Sequence, residues 1–322
     1  MTNIILSKDH GKDNMAMRDA YCQTLIELAE KDPRIVALDA DLMGAMGMKP
    51  FQKKFPERTF DCGIQEGNMI GTACGLAVQG KIPFAHTFAP FCTRRACDQI
   101  FISGAYNKAN VKIVGSDPGI TAAYNGGTHM PFEDMGIMRG IPTMVVVEPA
   151  DIVQLKNLLP QIAAYEGIVY MRLVRKDVNK VYDEGSTFEL GKAAVLSEGT
   201  DVTLIASGYC VTEALSAAEQ LAAEGISAGV INMHTWKPVD AEAILAAAAR
   251  TGAIVTCENH NVINGLGSAV AEVLVKNKPV PMEMVGVQDE FGEVGPVSYL
   301  RERYHLIDSD IAAAAKKVIA RK

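Results

Sequence analysis

Short apolar runs alternate with amphipathic segments along most of the chain. Runs such as RIVALDADL (34–42), IPFAHTF (82–88) and VKIVGS (111–116) have few polar positions, which predicts short strands buried in a sheet. Segments 15–31 and 66–79 repeat apolar residues at the helical period instead. Alternating buried strands and helices predict an α/β fold, in which helices cover both faces of a mostly parallel sheet.

The alternation is interrupted once. From 176 to 200 the sequence turns polar and charged, which is typical of an inter-domain linker, and a second alternation then begins. We therefore predict two α/β domains, 1–185 and 186–322. The predicted strands are 34–42, 82–88, 111–116, 143–149, 168–174, 202–207, 226–233, 253–259 and 280–287, and the predicted helices are 15–31, 66–79, 93–106, 151–165, 211–224, 240–250, 266–276 and 308–320.

Charge and cysteine usage narrow the function classes. The 322-residue chain carries a formal charge of −7 and no block of like charges, so neither nucleic acid nor an anionic membrane is an expected partner. No apolar run approaches the roughly 20 residues of a membrane span, and the first residues do not resemble a secretory signal. Seven cysteines include no CxxC pair, and we expect a reduced, cytoplasmic protein.

Common cofactor motifs fit poorly. The segment NGLGSAV places Gly265 and Gly267 like a dinucleotide fingerprint, but Val270 stands where a third small residue belongs. The chain has no GxxxxGK[ST] sequence, and its six histidines show no metal-binding spacing. We predict no nicotinamide, flavin or P-loop nucleotide site and no metal ligands in this chain.

Polar and aromatic residues gather instead where strands of the first domain end. Open α/β sheets bind ligands at the carboxyl ends of their strands, so these residues predict a polar pocket with an aromatic platform. Each of them also has a structural explanation when taken alone. They are Asp39, Asp41, His86, Phe88, Phe91, Ser116, Asp117, His129, Arg172 and Arg175.

The predicted helix 66–79 is unusual. Gly71 and Gly75 lie inside it, although each costs about 1 kcal/mol relative to alanine. A single carboxylate, Glu66, stands in its first turn. Because these two glycines have no side chain, another backbone could lie close against the helix.

The ordered motifs resemble the transketolase family of thiamine-diphosphate enzymes. They are DADL, IQEGNMIGTACGLA, HTFAPF, GGTHMPFED and RLVR, followed by HTWKPVD and ENHNVINGLGSAV. The resemblance covers essentially the whole chain and implies a pyrimidine-binding domain followed by the family's C-terminal domain. It also implies a transfer of two-carbon ketol units from a ketose to an aldose.

The resemblance assigns four residues to the cofactor. Glu66 matches the carboxylate that contacts the far pyrimidine nitrogen and thereby activates the cofactor's amino group. Phe88 and Phe91 match the aromatic residues beside the pyrimidine ring, and Asp41 matches an acid near the thiazolium region.

Other residues match the family's sugar site. His129 matches a histidine that bonds the donor's oxygens, and Arg18 and Arg175 match arginines that hold the substrate phosphate. Three positions depart from the family: Ala45 replaces a phosphate-binding serine, Asp117 replaces a phosphate-binding histidine, and Asn125 replaces an acid that reads a substrate hydroxyl. Either the substrate's distal end is not an ordinary phosphate, or the loop that carries Asp117 is rearranged.

A further departure concerns the cofactor's diphosphate. The family holds it, with Mg²⁺ (or Ca²⁺), through a Gly-Asp-Gly segment, and this sequence has none. The resemblance therefore implies the smaller, C-terminal subunit of a split transketolase, whose partner chain carries the diphosphate and metal site in an expected heterotetramer. Gly71 and Gly75 would then be close helix contacts at the subunit interface.

Three alternatives stay open at this point. A β subunit of a 2-oxo acid dehydrogenase shares the two-domain plan, and 1-deoxyxylulose-phosphate synthase shares the chemistry in a single longer chain. A non-catalytic partner subunit could retain the same fold.

Overall fold

The computed structural model describes residues 3–322 as two α/β units. The first unit contains these elements in chain order: α1 Met17–Lys31, β1 Ile35–Asp39, α2 Lys49–Lys54, β2 Thr59–Asp61, α3 Glu66–Val78, β3 Ile82–Phe88, α4 Ala89–Thr93, α5 Cys97–Gln99, a π-helical segment Ile100–Tyr106, β4 Lys112–Ser116, a 3₁₀ segment Gly119–Asn125, α6 Asp134–Gly140, β5 Val145–Val147, α7 Ile152–Ala164 and β6 Val169–Leu173.

The second half of the chain continues the alternation. Its elements are β7 Ala194–Ser197, β8 Val202–Ala206, α8 Cys210–Ala223, β9 Ala228–Asn232, β10 Thr235–Lys237, α9 Ala241–Thr251, β11 Ile254–Asn261, α10 Leu266–Asn277, β12 Met282–Val287, α11 Val297–Arg303 and α12 Asp308–Ile319. Among residues 3–322, none of the helices is both long and apolar enough to cross a membrane.

The strands form two sheets. The first has seven strands in the order β10-β5-β6-β4-β3-β1-β2, and all neighbours are parallel except β10 and β5. The second has five strands in the order β12-β11-β8-β9-β7. The strands β1, β3, β4 and β6 are buried along their whole length, as expected of parallel strands covered on both faces. The predicted fold class is therefore confirmed.

Two sequence expectations need correction. The single helix expected over 93–106 is instead divided into α4, α5 and the π-helical segment. The supposed linker 176–200 contains the edge strand β7, which pairs with β9 in antiparallel fashion. The sequence did not predict this strand, because an edge strand needs apolar residues on one face only and the residues around it are polar. The domain division at residue 185 stays a prediction.

The two units share a sheet and a buried charge network. Strand β10 lies within the second half of the chain but pairs with β5 at the edge of the first sheet. Nearby, the fully buried Arg172 binds Asp134 and donates to Glu148 at 3.0 Å, and the other Glu148 oxygen accepts from Ser207 at 2.7 Å. Paired buried charges are costly to separate, so this network fixes how the two units dock.

The glycines of NGLGSAV have a structural role in α10. The backbone N–H groups of Leu266 and Gly267 donate to the Glu258 carboxylate at 2.7 and 2.8 Å. A Cβ atom on Gly265 would lie 1.9 Å from that carboxylate. The start of this helix therefore receives an anion from its own chain.

Candidate active site

Glu66 is a buried carboxylate with one oxygen in use. It is the first residue of α3, and only 2% of its surface is exposed. Its Oε1 accepts a hydrogen bond from Arg95 Nη1 at 2.7 Å, whereas its Oε2 is buried without a hydrogen-bond partner among residues 3–322. Buried polar atoms are almost always hydrogen-bonded, so the free oxygen indicates a donor that the chain itself does not supply.

Two phenylalanines and a histidine form a compact aromatic group, which Arg95 connects to this carboxylate. Phe88 ends β3 and Phe91 follows in α4, with ring centroids 6.0 Å apart. His129 meets both rings edge-on, at 6.0 Å from Phe88 and 5.1 Å from Phe91. Its Nδ1 lies 2.9 Å from the Thr128 hydroxyl oxygen, so its Nε2 is the nitrogen left for a ligand.

Asp117 and Arg175 form an ion pair at the adjoining strand ends. Asp117 follows β4 with a left-handed φ of 59°, and its Oδ1 accepts from Arg175 Nε at 3.1 Å. Its Oδ2 accepts from the Ser116 hydroxyl at 2.9 Å. Burial raises the pKa of Asp117, although the charge of Arg175 acts against that shift. The Arg175 guanidinium also lies 5.2 Å from the centroid of the Phe88 ring.

These contacts bring most of the predicted site residues together. The chain of contacts runs through Glu66, Arg95, Phe91, His129, Phe88, Arg175 and Asp117. Within residues 3–322, Arg18, Asp41 and Asn125 make no hydrogen bond, ion pair or ring contact with its members. Arg18 donates to the Ala45 carbonyl oxygen at 2.7 Å, and Asp41 and Asn125 are exposed at the ends of β1 and of the 3₁₀ segment.

Two of the residues assigned to the pocket from the sequence are structural. His86 is fully buried, lies 2.6 Å from the Tyr21 hydroxyl and 2.9 Å from the Leu38 carbonyl oxygen, and burial lowers its pKa to about 4. Arg172 belongs to the inter-domain network. The prediction that these two line the pocket is wrong, because a strand-end position does not specify how deeply a side chain lies.

Two arginines in the turn after α4 were not predicted as site residues from the sequence. Arg94 donates to the Thr128 carbonyl oxygen at 3.1 Å and pairs with Glu133 at 2.9 Å, so it holds the loop that carries His129. Arg95 pairs with Glu66 and lies 4.2 Å from the centroid of the Phe91 ring. The signal was the doublet in FCTRR, directly after the aromatic pair.

Comparison with known proteins assigns both halves of the chain. The model for the transketolase pyrimidine-binding domain matches residues 13–180, and the model for the transketolase C-terminal domain matches residues 191–311. This chain belongs to the transketolase family. The predicted family resemblance is thus confirmed, and with it the dependence on thiamine diphosphate that the family implies.

Several relatives are split transketolases of similar length. The chain is 55% identical to a 6-deoxy-6-sulfo-D-fructose transketolase subunit of Clostridium sp. (strain MSTE9), over 95% of both chains. It is 45% identical to a putative transketolase C-terminal section of Methanocaldococcus jannaschii, over 92% of this chain and 94% of the relative. A solved split-gene transketolase, an inactive β4 tetramer, superposes with a TM-score of 0.88 at 45% identity, over 96% of this chain and 99% of that one.

The site residues offer the two features that the pyrimidine ring of thiamine diphosphate needs. The unpartnered Oε2 of Glu66 offers an acceptor for a ring nitrogen, and the Phe88 and Phe91 side chains offer apolar surface for the face of the ring. An aromatic ring with a polar edge needs both features. The residues present therefore fit the pyrimidine half of the cofactor.

Proposed function

We propose that this transketolase subunit acts, together with a partner chain, on a ketose whose distal end carries a sulfonate. Ketol transfer to an aldose acceptor is the reaction of its family. The observation that supports a sulfonate is the position of Asp117. This buried carboxylate lies 3.1 Å from Arg175, one of the two arginines assigned to the anionic end of the substrate.

The charge of the tail decides between sulfonate and phosphate. A phosphate monoester carries between one and two negative charges at neutral pH, because its second pKa is about 6. A sulfonate carries one charge, so a neighbouring carboxylate repels it less. Asp117 already uses part of the positive charge of Arg175, and Ala45 offers no hydroxyl to a third phosphate oxygen. The relative that is 55% identical is named for a sulfonated fructose, which supports the same tail.

When bound, the cofactor would supply a carbon nucleophile for ketol transfer. Around it, Glu66 would hold a proton at the pyrimidine nitrogen through its free Oε2, and Phe88 and Phe91 would fix the ring. His129 Nε2 would bond the donor's oxygens, while Arg175 and Arg18 would hold the tail. Asp41 would lie near the thiazolium, and Asn125 near a substrate hydroxyl.

The partner would complete the site. We propose that it holds the diphosphate and Mg²⁺ (or Ca²⁺), and that the two chains form a heterotetramer. Two observations support a chain that needs a partner: the split relatives have similar lengths, and the solved β4 tetramer is described as inactive.

The test is a comparison of donors with the co-expressed two-chain complex. We expect kcat/KM for 6-deoxy-6-sulfo-D-fructose to exceed that for fructose 6-phosphate by at least about tenfold, which corresponds to roughly 1.4 kcal/mol. Asp117→Asn keeps the shape and tolerates the left-handed φ, and should lower KM for the phosphate several-fold while changing the sulfonate little. Equal kcat/KM values for the two donors, or no effect of Asp117→Asn, would rule out the sulfonate proposal.

A further inference from the structure

Arg95 contacts the same carboxylate and the same phenylalanine that the cofactor's pyrimidine ring is expected to contact, but it binds Oε1 of Glu66 and leaves Oε2 free. Its guanidinium donates to Glu66 Oε1 at 2.7 Å and lies 4.2 Å from the centroid of the Phe91 ring. A guanidinium is flat, carries N–H donors on its edge and stacks on aromatic faces. These are the features by which an aminopyrimidine ring would contact the same carboxylate and the same phenylalanine.

The two ends of the ion pair differ in exposure. The Glu66 side chain is 2% exposed, whereas that of Arg95 is 47% exposed. A buried carboxylate without a counter-charge is unfavourable, so Arg95 stabilises it in the chain without cofactor. Because the arginine is half in solvent and on a flexible stem, it can leave without disturbing the core.

We propose that Arg95 is a placeholder, which neutralises Glu66 and covers Phe91 until thiamine diphosphate displaces it. The inference rests on the proposed function, in which Glu66 and Phe91 receive the cofactor. A competing contact in the free protein raises the apparent Kd, which equals the intrinsic Kd divided by the fraction of molecules in which the site is open. Removing the arginine should therefore tighten cofactor binding.

The first experiment measures affinity. Arg95→Met keeps much of the length of the side chain and removes its charge and N–H donors. In the two-chain complex with Mg²⁺, calorimetry should give a Kd for thiamine diphosphate about fivefold lower than that of the wild type, the effect of releasing a half-exposed ion pair. Arg34→Met removes an exposed arginine paired with Asp32 and should leave the Kd within about twofold of the wild type.

The second experiment needs no cofactor. In the isolated chain, Arg95→Met should lower Tm because it leaves Glu66 buried and uncompensated. Glu66→Gln removes the charge that Arg95 neutralises, so adding Arg95→Met to it should lower Tm by much less. Additive changes in Tm would show that the pair is not formed in the free chain.

The outcomes separate the two proposals. A wild-type complex that binds no thiamine diphosphate overturns the proposed function, and this inference with it. A wild-type complex that binds normally, with an Arg95→Met Kd that is unchanged or higher, overturns the placeholder alone, and a higher Kd would make Arg95 a contact of the bound cofactor.

Discussion

At the scale of single residues, the site depends on carboxylates in unequal environments. Glu66 is buried with one oxygen free, Asp117 is buried against an arginine, and Asp41 is exposed. The sequence allowed all three to be chosen, because Asp41 and Glu66 lie in family motifs and Asp117 directly follows a predicted strand. It did not predict which residues contact them. The arginine that binds Glu66 is Arg95, which lies 29 residues away along the chain and matches no motif.

Glu66→Gln tests the activating carboxylate. Glutamine keeps the volume and one acceptor, but it cannot exchange a proton with the pyrimidine nitrogen. We expect cofactor affinity within a few-fold of wild type and turnover lower by about a hundredfold or more, the usual contribution of acid–base catalysis. Calorimetry and steady-state kinetics of the two-chain complex measure the two effects, and turnover within about threefold of wild type would remove Glu66 from this role.

The buried carboxyl group of Asp39 should make the stability of the fold depend on pH. Burial raises its pKa to about 7, and only one of its oxygens has a hydrogen-bond donor within the described residues 3–322. Because the folded pKa lies above the unfolded value of about 3.9, its contribution to stability is fully present below the unfolded value and is lost as pH rises through the folded one. Asp39→Asn should thus gain on the order of 2 kcal/mol relative to wild type between about pH 5 and pH 8.

Urea unfolding of the isolated chain at both pH values measures this difference. Asp177→Asn changes an exposed aspartate and serves as the control. If the difference between wild type and Asp39→Asn does not change with pH, Asp39 does not titrate in this range.

At the scale of elements, the sequence predicted the regular strands and helices and missed those that depend on distant contacts. Strand β3 has the predicted bounds, because the apolar run in the sequence coincides with the whole strand. Strand β10 has only three residues and forms through pairing with β5, which lies far earlier in the chain. The break between α4 and the π-helical segment likewise leaves no mark in the apolar periodicity.

Helix α3 carries a prediction about assembly. Gly71 and Gly75 are exposed, and a Cβ atom on either would meet no atom of residues 3–322 within 4 Å outside its own helix backbone. Alanine at either position should therefore stabilise the isolated chain by about 1 kcal/mol, since it favours the helix. If a partner backbone lies against these glycines, the same substitution should weaken association of the two chains by about tenfold or more, because the added methyl group overpacks the contact.

Titration of the partner by sedimentation or interferometry measures association, and urea unfolding measures stability. Gly140→Ala, at the exposed end of α6 with equally open space, should change stability without changing association. Unaltered association in Gly71→Ala and Gly75→Ala would place the interface elsewhere.

At the scale of the whole molecule, the candidate site lies at the carboxyl ends of the central strands β3 and β4, and the second unit joins the first sheet at its β10 edge. Strand β10 and the Arg172 network tie the second unit to β5, β6 and α6. The chain positions the groups proposed for the pyrimidine ring and the sugar.

Binding of thiamine diphosphate should depend on the partner chain. The isolated chain offers the cofactor one free carboxylate oxygen and two aromatic rings, and one of those rings is covered by Arg95. If the partner holds the diphosphate and the metal ion, as proposed, most of the cofactor's charge would stay in solvent when the chain is alone. We therefore expect no sub-micromolar binding of thiamine diphosphate and no ketol transfer by this chain alone, and both should appear when the partner is added. Calorimetry on the chain with and without partner decides the matter, because tight binding to the single polypeptide would mean that it contains a complete cofactor site.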